Sequence, residues 1–167
     1  VANMCGYLQA FAPICATILH VFIIPGAYRI PAFDCEVRAA YTNTTPIDAY
    51  RGAGRPEATY LIERMIDRLA DEIGMDPAEV RRRNFVPPDS YPYTSISTLV
   101  YDSGNYRPAL DRALQLADYA GFATRREESR TRGKRRGIGL SSYVEICGLA
   151  PSKANAALGV GWGGYES

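Results

Sequence analysis

Histidine, lysine and tryptophan are scarce in this chain: one, two and one among 167 residues. With His20 as the single histidine, a Ser-His-Asp triad or a histidine-rich metal centre has little to build on, and the residue reads as packed into an apolar face. The four cysteines, Cys5, Cys15, Cys35 and Cys147, are scattered and make no C-x-x-C pair. They indicate neither a disulfide framework nor a zinc site, and they fit a reduced, cytoplasmic chain. An excess of one charge is also missing. Nineteen basic residues meet eighteen acidic ones, a net charge of +1, which argues against a dedicated nucleic-acid binder.

Long hydrophobic runs are missing too. Ile14 to Ile24 is the longest, broken by Thr17 and His20 and bracketed by Pro13 and Pro25. Its length is about half of the roughly 20 residues a membrane helix needs, so no membrane span is expected. No basic stretch precedes it and no small-residue cleavage site follows, so it reads as a buried core helix rather than a signal peptide. What the chain does have is 47% hydrophobic and 22% charged residues, the balance of a globular domain.

Periodicity locates the elements. Tyr28 to Pro31 reads as a turn, and Phe33 to Tyr41 as a strand with Phe33, Cys35, Val37 and Ala39 on one face. Thr42 to Arg55, rich in Thr, Pro and Gly, reads as a loop. Leu61, Ile62, Met65, Ile66, Leu69, Ala70 and Ile73 recur at helical spacing, with Glu63, Arg64, Asp67, Arg68, Asp71 and Glu72 facing away. Pro56 opens that helix and Gly74 ends it. Asp76-Pro77-Ala78-Glu79 forms a capping box for a short helix to about Asn84. Pro87, Pro88 and Pro92 forbid helix until Tyr106, where a further helix to Tyr119 buries Leu110, Ala113, Leu114 and Ala117. A polar helix continues to Arg132, and its basic run, Arg125 to Arg136, reads as a solvated face. Gly137 to Gly148 reads as a second strand carrying Glu145 as a hydrogen-bonded core carboxylate, and Leu149 to Ser167 as a loop. Helices with separated strands make the class α+β.

Two glycine patterns bear on chemistry. Gly159-Val160-Gly161-Trp162-Gly163-Gly164 fits G-x-G-x-x-G but lacks the strand before and the helix after that a dinucleotide site needs. Gly52-Ala53-Gly54 does precede a helix, though Glu57 takes the third glycine's place and no P-loop lysine follows. Two glycines allow close backbone approach, the helix aims its positive end back at them, and Arg51 and Arg55 flank the turn. An anionic or oxygen-rich ligand suits such a turn, and so does an ordinary tight turn with no ligand at all.

The string Ala49-Tyr50-Arg51-Gly52-Ala53-Gly54-Arg55-Pro56-Glu57-Ala58 resembles the active-site loop of the molybdenum hydroxylases, the family of xanthine dehydrogenase, aldehyde oxidase and aerobic carbon monoxide dehydrogenase. It is similar above all to the molybdopterin-binding large subunits of the bacterial group often called form II carbon monoxide dehydrogenase. Tyr41 to Asp48, Leu61 to Arg64, Asp76 to Phe85, Tyr101 to Gly104 and Gly137 to Glu145 look equally familiar.

The resemblance implies a segment of a large multi-domain subunit: residues 1–150 from the C-terminal part of the first molybdenum-cofactor domain and 151–167 from the start of the second. The start at Val1 and the close on Ser167 are read in the same sense. It implies a molybdopterin-type molybdenum cofactor, including its cytosine dinucleotide form, with [2Fe-2S] clusters and FAD on an iron–sulfur small subunit and an FAD medium subunit, in a dimer of heterotrimers. Arg51, Gly52, Ala53, Gly54 and Arg55 match the cofactor loop. The family's catalytic glutamate lies outside these residues, so no catalytic residue and no metal-ligating side chain is expected here. Gly52 stands where copper-binding carbon monoxide dehydrogenases carry a cysteine, and Ala53 where xanthine dehydrogenases carry a phenylalanine. The implied reaction is hydroxylation of an aldehyde or N-heterocycle with water as the oxygen source. The alternatives are carbon monoxide oxidation and a cofactor-free structural or interaction module of the same fold.

Overall fold

The computed structural model describes residues 2–3, 19–45 and 51–145. Five α-helices occur among them: α1 (His20–Ile23), α2 (Arg55–Ile73), α3 (Pro77–Asn84), α4 (Tyr106–Leu116) and α5 (Phe122–Thr131). In the stretch where the prolines are expected to forbid helix, Pro88–Ser90 form a single 3-10 turn, which tolerates the fixed φ of proline. Four two-residue strands form two small sheets. In one, β1 (Ala2–Asn3) pairs in parallel with β2 (Ala39–Ala40); in the other, β3 (Tyr93–Thr94) pairs antiparallel with β4 (Val100–Tyr101). The class is α+β.

The 19-residue α2 is the spine. Pro56 occupies its first turn, and the helix ends at Gly74. Helix α3 starts where the capping box predicts: the Asp76 carboxylate accepts from the amides of Ala78 and Glu79 at 2.8 and 3.1 Å. Glu79 turns outward to Arg83 at 2.7 Å. Between α2, α3 and α4 lies the main core, centred on Ile66, Ala70, Val80, Phe85, Leu110 and Leu114. Tyr28 stacks on Phe85 at 5.6 Å between ring centroids and forms a backbone bridge to it. Tyr28 is thus a core residue, and the chain turns earlier, over 24–27, than the Tyr28–Pro31 expected from the sequence.

At the centre is an ion network. Arg81 has no exposed surface, and Glu63 is 5% exposed. Arg81 donates to Glu63 Oε2 from Nε at 3.0 Å and from Nη2 at 2.8 Å, and to Asp67 Oδ1 at 2.9 Å. It also donates to the carbonyls of Pro77 and Leu140. Glu63 Oε1 accepts the Tyr28 hydroxyl at 2.5 Å, and Oε2 accepts the Ser142 amide at 2.9 Å. Burial works against the Arg81 charge, yet Glu63 and Asp67 hold its pKa above the ordinary value.

Several expectations are corrected. Glu63, placed on the outward face by periodicity, is inside because Arg81 reaches it from α3. The apolar stripe of α2 is only half covered: Ala58, Ile66 and Ala70 are buried, while Leu61, Met65, Leu69 and Ile73 are exposed. On α4, Leu110 and Leu114 are buried but Ala113 and Ala117 face out. Residues 33–38 are irregular and largely exposed, so the strand predicted over Phe33–Tyr41 shrinks to Ala39–Ala40. Residues 137–145 form no ladder either. Leu140, Ser142 and Val144 do turn inward and Ser141, Tyr143 and Glu145 outward, but the backbone of Leu140 and Ser142 is engaged by Arg81 and Glu63. The β3–β4 hairpin went unread, because its turn places Thr98, not glycine, at φ 73°.

Of the apolar run from Ile14, only the part from residue 19 is described. It forms α1, with Ile23 and Ile24 buried against Ala58 of α2. Among the described residues no helix is long and apolar enough to cross a membrane. The G-x-G-x-x-G pattern and the boundary near Pro151 lie outside the described residues.

Glu63→Ala leaves a buried guanidinium without its main partner and is expected to cost about 3–5 kcal/mol, read as faster amide exchange across α2 and α3. Asp67→Ala, at a half-exposed site, is expected to cost about 1 kcal/mol or less. Alkaline titration is the second check. Burial, then the bond to Glu63, pushes the Tyr28 hydroxyl far up, and burial pushes Tyr101 up to about 12. Folded values above the unfolded value of about 10 mean stability that is full below pH 10 and lost as pH rises through the folded values. Tyrosinate absorbance from Tyr28 is therefore expected only together with loss of the fold, whereas Tyr101 titrates late, near pH 12.

Candidate functional site

The candidate residues sit in the turn that feeds α2. Gly52, Ala53 and Gly54 have φ of 126°, 46° and 92°, three left-handed residues in succession. Two of the three are glycines, which take this region freely. A Cβ at residue 52 would come within 2.5 Å of Pro56 Cγ, so Gly52 is required by space as well as by φ. Ala53 carries a cost of roughly 1–2 kcal/mol for its conformation.

Arg55 secures the turn. Its amide donates to the Gly52 carbonyl at 3.0 Å, and its side-chain Nε donates to the same oxygen at 2.9 Å. The Ala58 amide donates to the Gly54 carbonyl at 3.1 Å, and helix α2 begins. Among the described residues no backbone acceptor takes the amides of Gly52, Ala53 or Gly54. Gly54 caps α2 without a side-chain hydrogen bond, and Arg51 is exposed at the rim. Backbone amides at the positive end of a 19-residue helix, beside an arginine, attract anionic oxygen. Ala49 and Tyr50 of the same motif lie outside the described residues.

The structure adds what the motif could not. The extended segment 141–145 runs alongside the first turns of α2 and closes a groove of about 400 Å³ with Arg55, Pro56, Thr59 and Tyr60. Ser141, Tyr143 and Glu145, the outward-facing residues of that segment, line its other wall. Glu145 is therefore not the core carboxylate its strand pattern predicts. It is exposed, and its Oε1 lies 3.7 Å from Arg55 Nε. The only hint in the sequence is the alternation that puts 141, 143 and 145 on one face; nothing local ties them to residue 55, ninety positions earlier.

Elsewhere the described residues offer less. They contain no group of three or more His, Cys, Asp or Glu able to hold a metal ion. Cys35 is a free, exposed thiol. His20 Nδ1 is buried without a hydrogen-bond partner among the described residues. The donor set at the turn, amides and guanidinium rather than thiolates or imidazoles, fits a group bound through its own oxygens and nitrogens.

Comparison with known proteins identifies the family. The model of the molybdopterin cofactor-binding domain matches residues 1–85. The carbon monoxide dehydrogenase large chain of Hydrogenophaga pseudoflava is 43% identical over 146 residues, 83% of this chain and 18% of that protein. The nicotine 6-hydroxylase large subunit of Paenarthrobacter nicotinovorans is 37% identical over 123 residues, 74% of this chain and 15% of that protein. Quinoline 2-oxidoreductase from Pseudomonas putida 86 superposes with a TM-score of 0.80 at 30% identity, over 95% of this chain and 20% of that one. This chain thus spans a fifth or less of the length of these relatives. A domain model covering half the chain and relatives aligned over most of it lead to one conclusion: the chain belongs to the molybdopterin cofactor-binding domain family, within the large subunits of the molybdenum hydroxylases.

Proposed function

We propose that this segment forms part of the cofactor cradle in the catalytic large subunit of a molybdenum hydroxylase that oxidises an aldehyde or N-heterocycle, with water as the oxygen source. The observation that carries the reading is the left-handed Gly52-Ala53-Gly54 turn at the head of α2, with Arg51 exposed beside it. Gly52, Ala53 and Gly54 would hold the group through their amides, while Arg51 supplies a fixed positive charge and Arg55 keeps the turn closed on itself. When bound, the molybdenum cofactor supplies the oxygen-transfer and redox chemistry that side chains of this segment do not.

Its cytosine dinucleotide form, iron–sulfur and FAD partner subunits in a dimer of heterotrimers, and a cytoplasmic location belong to the same proposal. So does the division into a first domain through residue 150 and a second from 151. The organic substrate is favoured by Gly52, which has no thiol with which to bind a second metal, and by similarity to a nicotine hydroxylase and a quinoline oxidoreductase. Carbon monoxide remains the second reading, on the 43% identity to a carbon monoxide dehydrogenase large chain.

Elemental analysis of the purified native complex separates these readings. Molybdenum near one per large subunit, with iron and without copper, is the expected result. Copper equal to molybdenum would establish the second reading, and absence of all three metals in freshly purified complex would favour a cofactor-free module. Arg51→Ala in the full subunit is expected to lower molybdenum content or turnover several-fold, while shifting stability by no more than about 0.5 kcal/mol, because the side chain is exposed. Unchanged metal content and turnover would refute the assignment of the turn. Gly52→Ala is expected to be harsher, costing about 1–3 kcal/mol as the new Cβ displaces Pro56 and strains the turn, with cofactor content falling alongside.

A further inference from the structure

From the geometry around Arg55 we infer that Glu145 is a positioning residue: its carboxylate holds the Arg55 guanidinium against the Gly52 carbonyl and so keeps the cofactor turn in its left-handed shape. The inference rests on the cofactor reading of that turn.

Three links carry it. The turn needs an external hold, because Ala53 sits at φ 46° without the freedom of glycine and α2 has no side-chain N-cap. Arg55 provides one by donating twice to the Gly52 carbonyl, from its amide and from Nε. The second of these bonds restrains a long side chain with many rotamers. Glu145 Oε1, 3.7 Å from the same Nε, lies too far for a hydrogen bond but close enough to attract the cation where it stands. Side-chain exposures of 29% and 40% allow screening, so the effect is moderate and salt-dependent.

The placement of Glu145 is itself determined by the fold. Arg81 holds the Leu140 carbonyl and Glu63 the Ser142 amide, which pins the segment to α2 three residues before Glu145. A carboxylate fixed in this way can restrain Arg55, whereas one on a free tail could not.

Amide exchange in the assembled enzyme tests the clamp directly, with or without bound cofactor. Glu145→Gln is expected to speed exchange of the Arg55 and Ala58 amides, which close the turn on the Gly52 and Gly54 carbonyls, about two- to fivefold at 0.01 M salt, the range for a partly exposed ion pair. The difference should fade at 1 M salt, where the Debye length drops from about 30 to about 3 Å. Glu145→Asp should recover part of the protection, and molybdenum retained through gel filtration should fall by a similar factor in Glu145→Gln. Equal exchange in variant and wild type overturns the proposal. So does a difference that 1 M salt leaves intact, which marks loss of packing rather than of charge; faster exchange with molybdenum retention unchanged supports the clamp and counts against the cofactor reading of the turn. Arg51→Ala separates the two layers. If it affects metal content or turnover while Glu145→Gln does nothing, the clamp alone is wrong. If Glu145→Gln loosens the turn while Arg51→Ala affects neither, the cofactor reading is wrong.

Discussion

A guanidinium taken wholly out of water must find acceptors for its N–H groups and a counter-charge close by, and Arg81 does so by drawing three separate stretches of chain together. Glu63 and Asp67 come from α2, the Pro77 carbonyl from the first turn of α3, and the Leu140 carbonyl from a segment almost sixty residues later. Glu63 is saturated in turn by Tyr28 and Ser142. Such a network is a weak source of net stability, since desolvation offsets much of the attraction, but it tolerates few alternative arrangements. It ties α3 to α2 and holds the Leu140–Ser142 segment against them.

That constraint reaches the candidate site. The turn at 52–54 gets its chemistry locally, from left-handed backbone and the end of a long helix. Its surroundings come from afar. The segment pinned by Arg81 and Glu63 continues past Ser142 and delivers Tyr143 and Glu145 to the groove beside Arg55. The left-handed turn is thereby given a wall and a counter-charge, and its two arginines are no longer equivalent: Arg51 stands exposed, whereas Arg55 is engaged with the turn.

The uncovered half of α2 fits the size of the chain relative to its family. Leu61, Met65, Leu69 and Ile73 are spaced four apart along one face, and all remain exposed among the described residues. Periodicity cannot distinguish a face covered by the same hundred residues from one covered elsewhere in a subunit five times as long. It marked all seven apolar positions as core, and only Ile66 and Ala70 proved fully buried.

Much was legible in the sequence where the signal is local. Proline at the head of α2, Asp76 as the cap of α3, the breaker prolines before α4 and the run Arg51 to Arg55 all act through backbone geometry within a few residues, so their spacing alone located three helices and the turn between elements. Strands were not legible. Residues 33–38 and 137–145 alternate convincingly, yet a strand exists only where another backbone pairs with it, and for Leu140 and Ser142 the engaged partners are side chains. The same holds for Glu63, polar by type and outward by spacing, which is inside because Arg81 meets it there. The sequence by itself determined the main helices, the family and the glycine turn at the head of α2, because each rests on residues adjacent in the chain. Only the tertiary structure decided that Glu63 is buried and that Glu145 faces Arg55, because charge pairing acts through distance in space, and that distance is set by the whole fold.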